Sequence, residues 1–483
     1  MTIKFTNNAT TTLASGINSS ATSLTVATGA GALFPSLSGS DVFYVTLANL
    51  AGSVEIVKVT ARSTDTFTIV RAQDNTTALS WSTGDKVELR PTAVTMSAMA
   101  QTANNLSDLA SASTARTNLG VAIGTDVQAY SAALTSYAST GVGMRNRIIN
   151  GAMMIDQRNN GAPMTGGVLT YTVDRFVSFV QTDGVMTFQQ VSDAPSGFRY
   201  SLKATTTTAD ASIGASQRAA LLQRIEGYNV ADLMLGSASA ATFTLSFWVK
   251  SSLTGTFGGA FQNNGSDRAY PFTYVINSAG TWEQKTITIT GDLTGTWNTT
   301  NATGLQIVWG LGVGSTYSAT AGSWQSGDFN SATGGVAVIS TLNATWQVTG
   351  VQLEKGSTAT SYDFRSYGTE LALCQRYCIA YGGSNNSQDL QGLGNCPANT
   401  TSSFITSFPV SMRATPTLTT SSASNFTMLD TLYTSYTVTG FTLDRPSAQF
   451  GSLAVTTSIA GRQGTARLVA NNIAALIVYS AEL

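Results

Sequence analysis

One apolar stretch flanked by arginines constrains the fold of this chain more than any other feature. Residues 145–158 read RNRIINGAMMIDQR, and the apolar and β-branched side chains from 148 to 155 predict a buried strand. Asn150-Gly151 interrupts this run and indicates a bulge or a tight bend. Strand-like segments follow as far as the sequence VQLE at residues 351–354, so the stretch is interpreted as the first strand of a large β domain.

The charged residues around this stretch predict a structural ion-pair cluster. Charged residues make up only 11% of the chain, so those that occur here are expected to have specific partners. A ligand site is the alternative interpretation, but structural ion-pair networks produce the same kind of cluster. The predicted cluster consists of Arg145, Arg147, Asp156, Arg158, Asp174 and Arg175.

The composition favours a folded, multidomain, β-rich protein. A length of 483 residues indicates several domains. Apolar residues at 42% and aromatic residues at 9% are enough for folded cores, whereas disordered chains contain few aromatic residues. A net charge of −1 without a run of Lys or Arg argues against nucleic acid as a partner.

Histidine is absent, which excludes catalysis by Ser-His-Asp or Cys-His groups and every zinc site that contains histidine. The odd number of cysteines, 3, argues against a disulfide framework and indicates synthesis in a reducing cytoplasm. The N-terminus lacks an apolar signal segment, and no run of about eighteen apolar residues occurs. We therefore expect neither secretion nor membrane insertion, and no cofactor.

The first two segments differ in character. Residues 1–90 contain short alternating strands and predict a small β domain. Residues 91–143 begin with Pro91, a favourable first helical position, and are rich in alanine. Met99, Leu106 and Leu109 recur there at helical spacing. Such a thin apolar stripe is typical either of a short trimeric helical bundle or of a single exposed helix.

The remaining chain predicts two further β domains. Residues 144–365 contain the alternating segment 242–250, in which every second residue is apolar, and favour an antiparallel sandwich of jelly-roll type. Within this domain, only residues 217–225 suggest a helix. Residues 366–483 predict a C-terminal β domain that begins with two helical turns.

Carboxylate pairs are the only catalytic groups left for an enzyme that cleaves sugars. The candidates are Glu226, Asp232, Glu283, Asp292 and Asp328, and their spacing singles out no pair. Two residue pairs, Asp328 with Asn330 and Asp267 with Asn264, could bind a hard cation such as calcium. The indication is weak, because neither pair has the spacing of a calcium-binding loop. We therefore predict neither catalysis nor a metal site.

Tryptophans in polar loops indicate a possible ligand site. Trp297 and Trp324 lie in loops rich in Gly, Ser, Thr and Asn. An exposed indole can stack on the apolar face of a sugar, while a carboxylate such as Asp328 binds hydroxyl groups. The alternative is that each tryptophan caps a core, since tryptophan is highly buried on average.

Several short motifs, in one order, resemble the sandwich domain of tail fibres of tailed bacteriophages. The resemblance covers about residues 145–377. The motifs are residues 145–158, Asp174-Arg175-Phe176, RIEG at 224–227, FTLSFWVK at 243–250, GVQLE at 350–354, Glu370-Leu371 and CQRY at 374–377.

The resemblance implies a multidomain, elongated, homotrimeric fibre in the virion. Residues 1–90 would attach it to tail, baseplate or adaptor proteins, and the sandwich would bind a host-surface receptor. A polysaccharide or lipopolysaccharide is the expected receptor, bound without cleavage. The alternatives are a tailspike depolymerase and a purely structural tail, neck or capsid decoration protein.

Overall fold

A computed structural model describes residues 2–97, 111–121, 144–383, 389–396, 400–458 and 464–483. The chain forms two compact units, Met1–Ala129 and Tyr130–Leu483. Strands dominate both units, so the prediction of a mainly β protein with sandwich-like domains is confirmed.

The first unit contains a six-stranded antiparallel sheet. Its strands, in chain order, are β1 (Thr10–Thr12), β2 (Ser23–Thr25), β3 (Phe43–Ala48), β4 (Val54–Ser63), β5 (Thr66–Gln73) and β6 (Lys86–Glu88), and their order across the sheet is β1-β6-β3-β4-β5-β2. Val57 and Val59 of β4 are buried and their sequence neighbours face outward, as the alternation predicts. Phe34, Phe43 and Phe67 pack together in the core.

Two short helices follow this sheet, α1 (Ala93–Ser97) and α2 (Ala112–Asn118). The hydroxyl of Ser111 accepts a hydrogen bond from the Thr114 amide at 3.2 Å and caps α2. The predicted stripe of Met99, Leu106 and Leu109 lies outside the described residues, so the helical trimerisation segment stays a prediction.

The second unit contains a sandwich of two antiparallel sheets. The six-stranded sheet has the order β16 (Glu283–Ile289), β13 (Phe243–Ser251), β21 (Thr345–Lys355), β11 (Ser201–Thr208), β10 (Val185–Val191) and β7 (Met164–Thr165). The seven-stranded sheet has the order β19 (Gln325–Ser326), β15 (Arg268–Ile276), β14 (Gly255–Gln262), β17 (Thr303–Val313), β12 (Arg218–Glu226), β9 (Phe176–Gln181) and β8 (Val168–Tyr171). A short parallel pair, β18 (Ser318–Ala319) and β20 (Ser331–Ala332), accompanies the second sheet.

The sandwich core explains the alternation in the sequence. Phe243, Leu245, Phe247 and Val249 of β13 all point into this core. Of residues 217–225, which the sequence suggested as a helix, all but Gln217 belong instead to the strand β12. Most of their side chains are buried because the inward side chains of β12 fill the sandwich core, while Ala220 and Leu222 on the outward face pack with Val177 and Val308 in a separate apolar cluster.

The stretch that opens the sandwich is buried but is not a strand, so that prediction was wrong. Asn150 and Met153 have φ values of 62° and 56°, which an extended strand does not allow. The Asn150 side chain donates to the carbonyl oxygens of Ile155 and Asp174 at 2.8 and 2.9 Å and organises a loop. The run is apolar because Ile148 packs in the sandwich core and Ile155 in a second cluster with Cys374 and Tyr377.

The C-terminal part of the second unit begins with helix α3 (Tyr367–Gln375), where two helical turns were predicted. A three-stranded sheet has the order β22 (Cys378–Gly382), β30 (Leu476–Ser480) and β25 (Thr417–Thr420). Six strands close into a barrel in the order β23 (Asp389–Cys396), β24 (Thr401–Ser407), β28 (Phe450–Thr457), β27 (Ser435–Leu443), β26 (Phe426–Asp430) and β29 (Gly464–Ala470). Closure pairs every edge strand of the barrel.

No helix within the described ranges combines the length and the apolar character that a membrane span requires. The three cysteines, Cys374, Cys378 and Cys396, are buried free thiols.

Candidate functional site

The two loop tryptophans come together at one edge of the sandwich. Their ring centroids lie 5.3 Å apart in an edge-to-face arrangement, and Tyr270 packs 5.3 Å from the ring of Trp324. The indole N–H of Trp297 donates to Thr294 O at 3.1 Å, and that of Trp324 donates to Thr290 O at 2.8 Å. Both rings are half-buried against the core, so their contacts are those of a packed aromatic cluster.

Only three of the six predicted ion-pair residues come together in one cluster. Arg145 pairs with Asp363 at 3.4 Å and Arg147 with Asp232 at 2.8 Å, both away from the other four residues. Asp156 accepts hydrogen bonds from the amides of Asn159 and Gly161 within its own loop.

Arg158, Asp174 and Arg175 come together, and Glu482, which the sequence did not single out, completes their cluster. Arg158 lies 3.8 Å from Asp174 and 3.0 Å from Glu482, which also pairs with Arg175. Burial raises the pKa of Asp174 to about 6, although Arg158 and Gln157 act in the opposite direction. Because Glu482 follows β30, this cluster joins the sandwich to the C-terminal sheet.

The outer face of the seven-stranded sheet carries a groove with an apolar floor. Side chains alternate along a strand, so Ala220 and Leu222 of β12 point outward while their neighbours fill the sandwich core. Val308 of β17 and Val177 of β9 pair with Leu222 on either side. These four buried side chains form an apolar cluster separate from the main core.

Polar side chains line the groove beside this floor. Gln262, Gln306 and Arg224 lie in register across the paired strands β14, β17 and β12. Gln306 Nε2 donates to Gln262 Oε1 at 2.6 Å, and Gln262 Nε2 donates to Asp328 Oδ1 at 2.8 Å. Only 1% of Gln262 and 7% of Gln306 is exposed, so the protein itself orders both amide groups.

Arg218 closes the other end of the groove. Its guanidinium lies between the rings of Phe179 and Tyr317, at 4.2 and 4.0 Å from their centroids. It donates to Asp328 Oδ2 at 2.8 Å and to Asn330 Oδ1 at 2.6 Å. Two rings and two oxygen acceptors thus hold this side chain in one position.

Two glycines allow the segment that carries Asp328 and Asn330 to lie against the sheet. A Cβ atom at Gly258 would come within 2.2 Å of Ser331 Oγ and 2.7 Å of the Ala332 amide nitrogen. A Cβ atom at Gly310 would come within 2.7 Å of the same hydroxyl oxygen. Ser331 and Ala332 therefore lie closer to the outer face than a residue with a Cβ atom at position 258 or 310 would permit.

The resulting cleft has a volume of about 260 Å³ and includes Asn264, Ser266 and Leu483 in its lining. Its apolar floor and ordered hydrogen-bonding groups suit a small ligand with an apolar face and polar edges. Of the three ligand-binding residues predicted from the sequence, Asp328 lines this cleft, whereas Trp297 and Trp324 do not.

Only a weak sequence signal indicates the groove. Gln306 interrupts the apolar run of residues 305–311, and a buried amide in such a strand requires a partner. Arg218 and Arg224 share one face of β12 with small and apolar residues. The residues that the sequence analysis missed are Phe179, Arg218, Arg224, Gln262, Gln306 and Tyr317.

The five candidate carboxylates do not form a pair. Each has its own cationic partner: Glu226 pairs with Arg376, Asp232 with Arg147, Glu283 with Lys285, Asp292 with Arg268 and Asp328 with Arg218. Burial alone would raise the pKa of Glu283, but hydrogen bonds from Lys285 and two backbone amides lower it to about 2. A general acid in glycoside hydrolysis instead needs a raised pKa.

Among the described residues, no group of three or more Cys, Asp or Glu side chains is arranged to hold a metal ion. Oxygens of Asp328 and Asn330 both accept hydrogen bonds from Arg218, and Asp267 Oδ1 accepts one from Asn263 at 2.6 Å.

No family model matches this chain, and no curated protein matches it. Similar solved structures include the enzymatically active domain of tailspike protein 4 from bacteriophage CBA120, with 13% identity over 44% of this chain and a TM-score of 0.24. The similarity spans only 21% of that phage chain.

Two further similar structures are described as sugar-binding or carbohydrate-binding. A putative sugar-binding protein from Bacteroides thetaiotaomicron has 12% identity and a TM-score of 0.26, over 44% of this chain and 100% of that one. A family 11 carbohydrate-binding module from Clostridium thermocellum has 10% identity and a TM-score of 0.22, over 41% and 98% of the two chains. These similarities assign neither a family nor a function to the chain.

Proposed function

We propose that this chain binds a carbohydrate in the groove on the outer face of the seven-stranded sheet. The observation that carries the proposal is the combination of an apolar floor with amide groups held in fixed orientations. A sugar ring has an apolar face that packs on Leu222 and Val308 and hydroxyl groups that hydrogen-bond to Gln306 and its neighbours. A single site of this size is expected to bind with a dissociation constant on the order of millimolar to micromolar.

Replacing Gln306 with alanine tests this proposal. The full-length protein is applied to a printed panel of bacterial lipopolysaccharides and capsular polysaccharides, and the retained polysaccharide is titrated. We expect the variant to bind it about tenfold more weakly, because one hydrogen bond in a desolvated site contributes about 1–1.5 kcal/mol. The matched control is Gln284→Ala, on the exposed face of β16 in the other sheet. Equal binding by both variants and the wild type would place the carbohydrate elsewhere.

We further propose that the chain is a receptor-binding tail fibre of a tailed bacteriophage and does not cleave the glycan it binds. The motifs from residue 145 to residue 377 support the first part, and residues 1–90 would attach the fibre to the virion. The pairing of each candidate carboxylate with its own cation supports the second part. Release of reducing ends from the bound polysaccharide would instead indicate a depolymerase.

The proposed fibre is expected to be a homotrimer. Light scattering on the intact protein should give the mass of three 50.3 kDa chains, about 151 kDa. Three grooves on one particle would raise adhesion through effective concentration, which offsets the weak affinity of each site. A monomeric mass at micromolar protein concentration would contradict this proposal.

A further inference from the structure

Five polar side chains of the groove form a network of hydrogen bonds with a definite direction. Gln306 Nε2 donates to Gln262 Oε1, and Gln262 Nε2 donates to Asp328 Oδ1. Arg218 donates to the other oxygen of Asp328, and Asn330 Nδ2 donates to Asp328 Oδ1 at 3.3 Å. Every one of these bonds therefore leads to the Asp328 carboxylate.

This carboxylate determines which way both glutamine amides face. A carboxylate accepts hydrogen bonds and has none to donate, whereas an amide offers both a donor and an acceptor. Gln262 must therefore direct its NH₂ group to Asp328 and its carbonyl oxygen to Gln306. Gln306 must in turn direct its NH₂ group to Gln262, which leaves its carbonyl oxygen at the free end of the chain.

The free end determines what a ligand has to supply. In the described part of the chain, no group donates a hydrogen bond to Gln306 Oε1. Gln306 lies opposite Arg224 in the sheet, and its strand β17 also supplies Val308 to the groove floor. A ligand group that meets it must donate a hydrogen bond, as the hydroxyl of a sugar ring does.

We propose that Asp328 is a positioning residue that orients the amide groups of Gln262 and Gln306. Because of this orientation, the groove prefers a glycan with a free hydroxyl that donates to Gln306 Oε1 over the same glycan with that hydroxyl O-methylated. The inference rests on the proposed carbohydrate-binding function and deepens it. Reversing the amides would set a carbonyl oxygen against the carboxylate and lose two hydrogen bonds. An Asp328→Asn substitution removes this restriction, because asparagine supplies a donor as well as an acceptor and is close in size.

The test compares one polysaccharide in two chemical forms. The probe is the member of the lipopolysaccharide and capsular polysaccharide panel that the wild type retains most strongly, before and after O-methylation. We expect the wild type to prefer the native form by about tenfold or more, since methylation leaves the desolvated oxygen of Gln306 without a hydrogen-bond donor. In Asp328→Asn, affinity for the native form should fall about tenfold and the preference should shrink to about threefold or less.

Asp193→Asn is the matched control, because Asp193 also pairs with a cation, Lys250, but lies near the other sheet. It should keep both the affinity and the preference of the wild type. If Asp328→Asn unfolds at a lower temperature than the control, Gln262→Met supplies the same test by removing the middle link of the chain. A loss of affinity through general disorder would weaken both forms alike, whereas the ratio of the two affinities reports the orientation of the amides.

The outcomes separate the two proposals. Binding of neither form by the wild type would refute the carbohydrate-binding function, and the inference with it. Equal binding of both forms would leave that function standing and overturn the selection for a hydroxyl donor. A variant that keeps the full preference of the wild type would show that Asp328 does not set it.

Discussion

Replacing Glu226 with alanine is expected to destabilise the C-terminal barrel by about 3 kcal/mol while the sandwich stays folded. Glu226 ends β12 and is 2% exposed. Its carboxylate accepts hydrogen bonds from Arg376 Nε at 2.9 Å, from a second Arg376 nitrogen at 2.6 Å and from the Tyr377 hydroxyl at 2.5 Å. These two residues lie between α3 and β22, so the substitution removes one of the two buried polar clusters that join the sandwich to the C-terminal strands.

The magnitude follows from what the substitution leaves behind. The hydroxyl of Tyr377, a fully buried residue, loses its acceptor, and this costs more than a hydrogen bond at the surface. Arg376 is one-third exposed, so water can solvate its guanidinium and the loss stays at the lower end of the range for broken buried pairs. Arg175 keeps its contacts with Glu482 and with the ring of Tyr377, which lies 3.6 Å from its guanidinium. These contacts limit the effect to the seam, by which we mean the contact between the sandwich and the C-terminal strands around Glu226, Arg376 and Tyr377.

Two spectroscopic probes distinguish the two parts of the unit. All 7 tryptophans precede residue 366, so tryptophan fluorescence reports no unfolding of the barrel, whereas far-UV circular dichroism reports all strands. In denaturant, the variant should lose part of its dichroism before its fluorescence changes. The control Asp444→Ala removes an exposed ion pair of the C-terminal part and should change stability by less than about 0.5 kcal/mol. Coincident transitions in Glu226→Ala at the wild-type midpoint would contradict the proposed role of the seam.

The stabilising contribution of Glu226 should also depend on pH. Burial alone would raise its pKa, but hydrogen bonds from Arg376 and Tyr377 hold it below the ordinary value of 4.5. A carboxylate with a lowered pKa in the folded state stabilises that state above its unfolded pKa and loses this effect as pH falls through the folded pKa. The difference in stability between wild type and variant should therefore be full at neutral pH and shrink below about pH 4.

The charged residues of the sequence motifs make the contacts between the sandwich and the C-terminal strands. Arg158, Arg175, Glu226 and Arg376 all belong to motifs that carry the resemblance to tail fibres, and all four make contacts where the sandwich meets the C-terminal strands. Charge is scarce in the chain, so pairing of these residues was predictable. Glu482, the partner of Arg158 and Arg175, was not predictable, because it is more than three hundred positions away from both arginines in the sequence and belongs to no motif. The motifs therefore describe the scaffold and leave the ligand undetermined.

The groove shows why a site on a sheet face escapes prediction from one sequence. Phe179, Arg218, Gln262 and Gln306 belong to four different strands, whose order across the sheet does not follow their order along the chain. Alternation predicts which face a side chain occupies but not which strands become neighbours. The class of fold depends on local periodicity and was predicted, whereas the site depends on strand order. The prediction of a strand at residues 148–155 was wrong for a related reason. These residues form an irregular loop buried between two apolar clusters, and such burial requires the same apolar composition as a buried strand.

Replacing Gly258 with alanine is expected to weaken binding in the groove by more than about tenfold while the sandwich remains folded. The new Cβ atom would lie 2.2 Å from Ser331 Oγ and 2.7 Å from the Ala332 amide nitrogen. The hydroxyl can rotate away, but the backbone nitrogen has to move, and Asp328 and Asn330 lie a few residues before it. We expect a loss of about 1–3 kcal/mol in stability, which is typical of overpacking.

The effect of Gly258→Ala on binding should exceed its effect on stability, because the same displacement moves the acceptor that orders Gln262 and Gln306. A shift of about 1 Å in such a positioning group can lower affinity by more than tenfold. The control is Gly440→Ala in β27, where a Cβ atom would meet nothing within 4 Å and stability should hold or rise slightly. Titration with the retained polysaccharide and thermal unfolding measure the two effects separately. Wild-type affinity in a folded Gly258→Ala protein would mean that the position of residues 328–332 does not control binding.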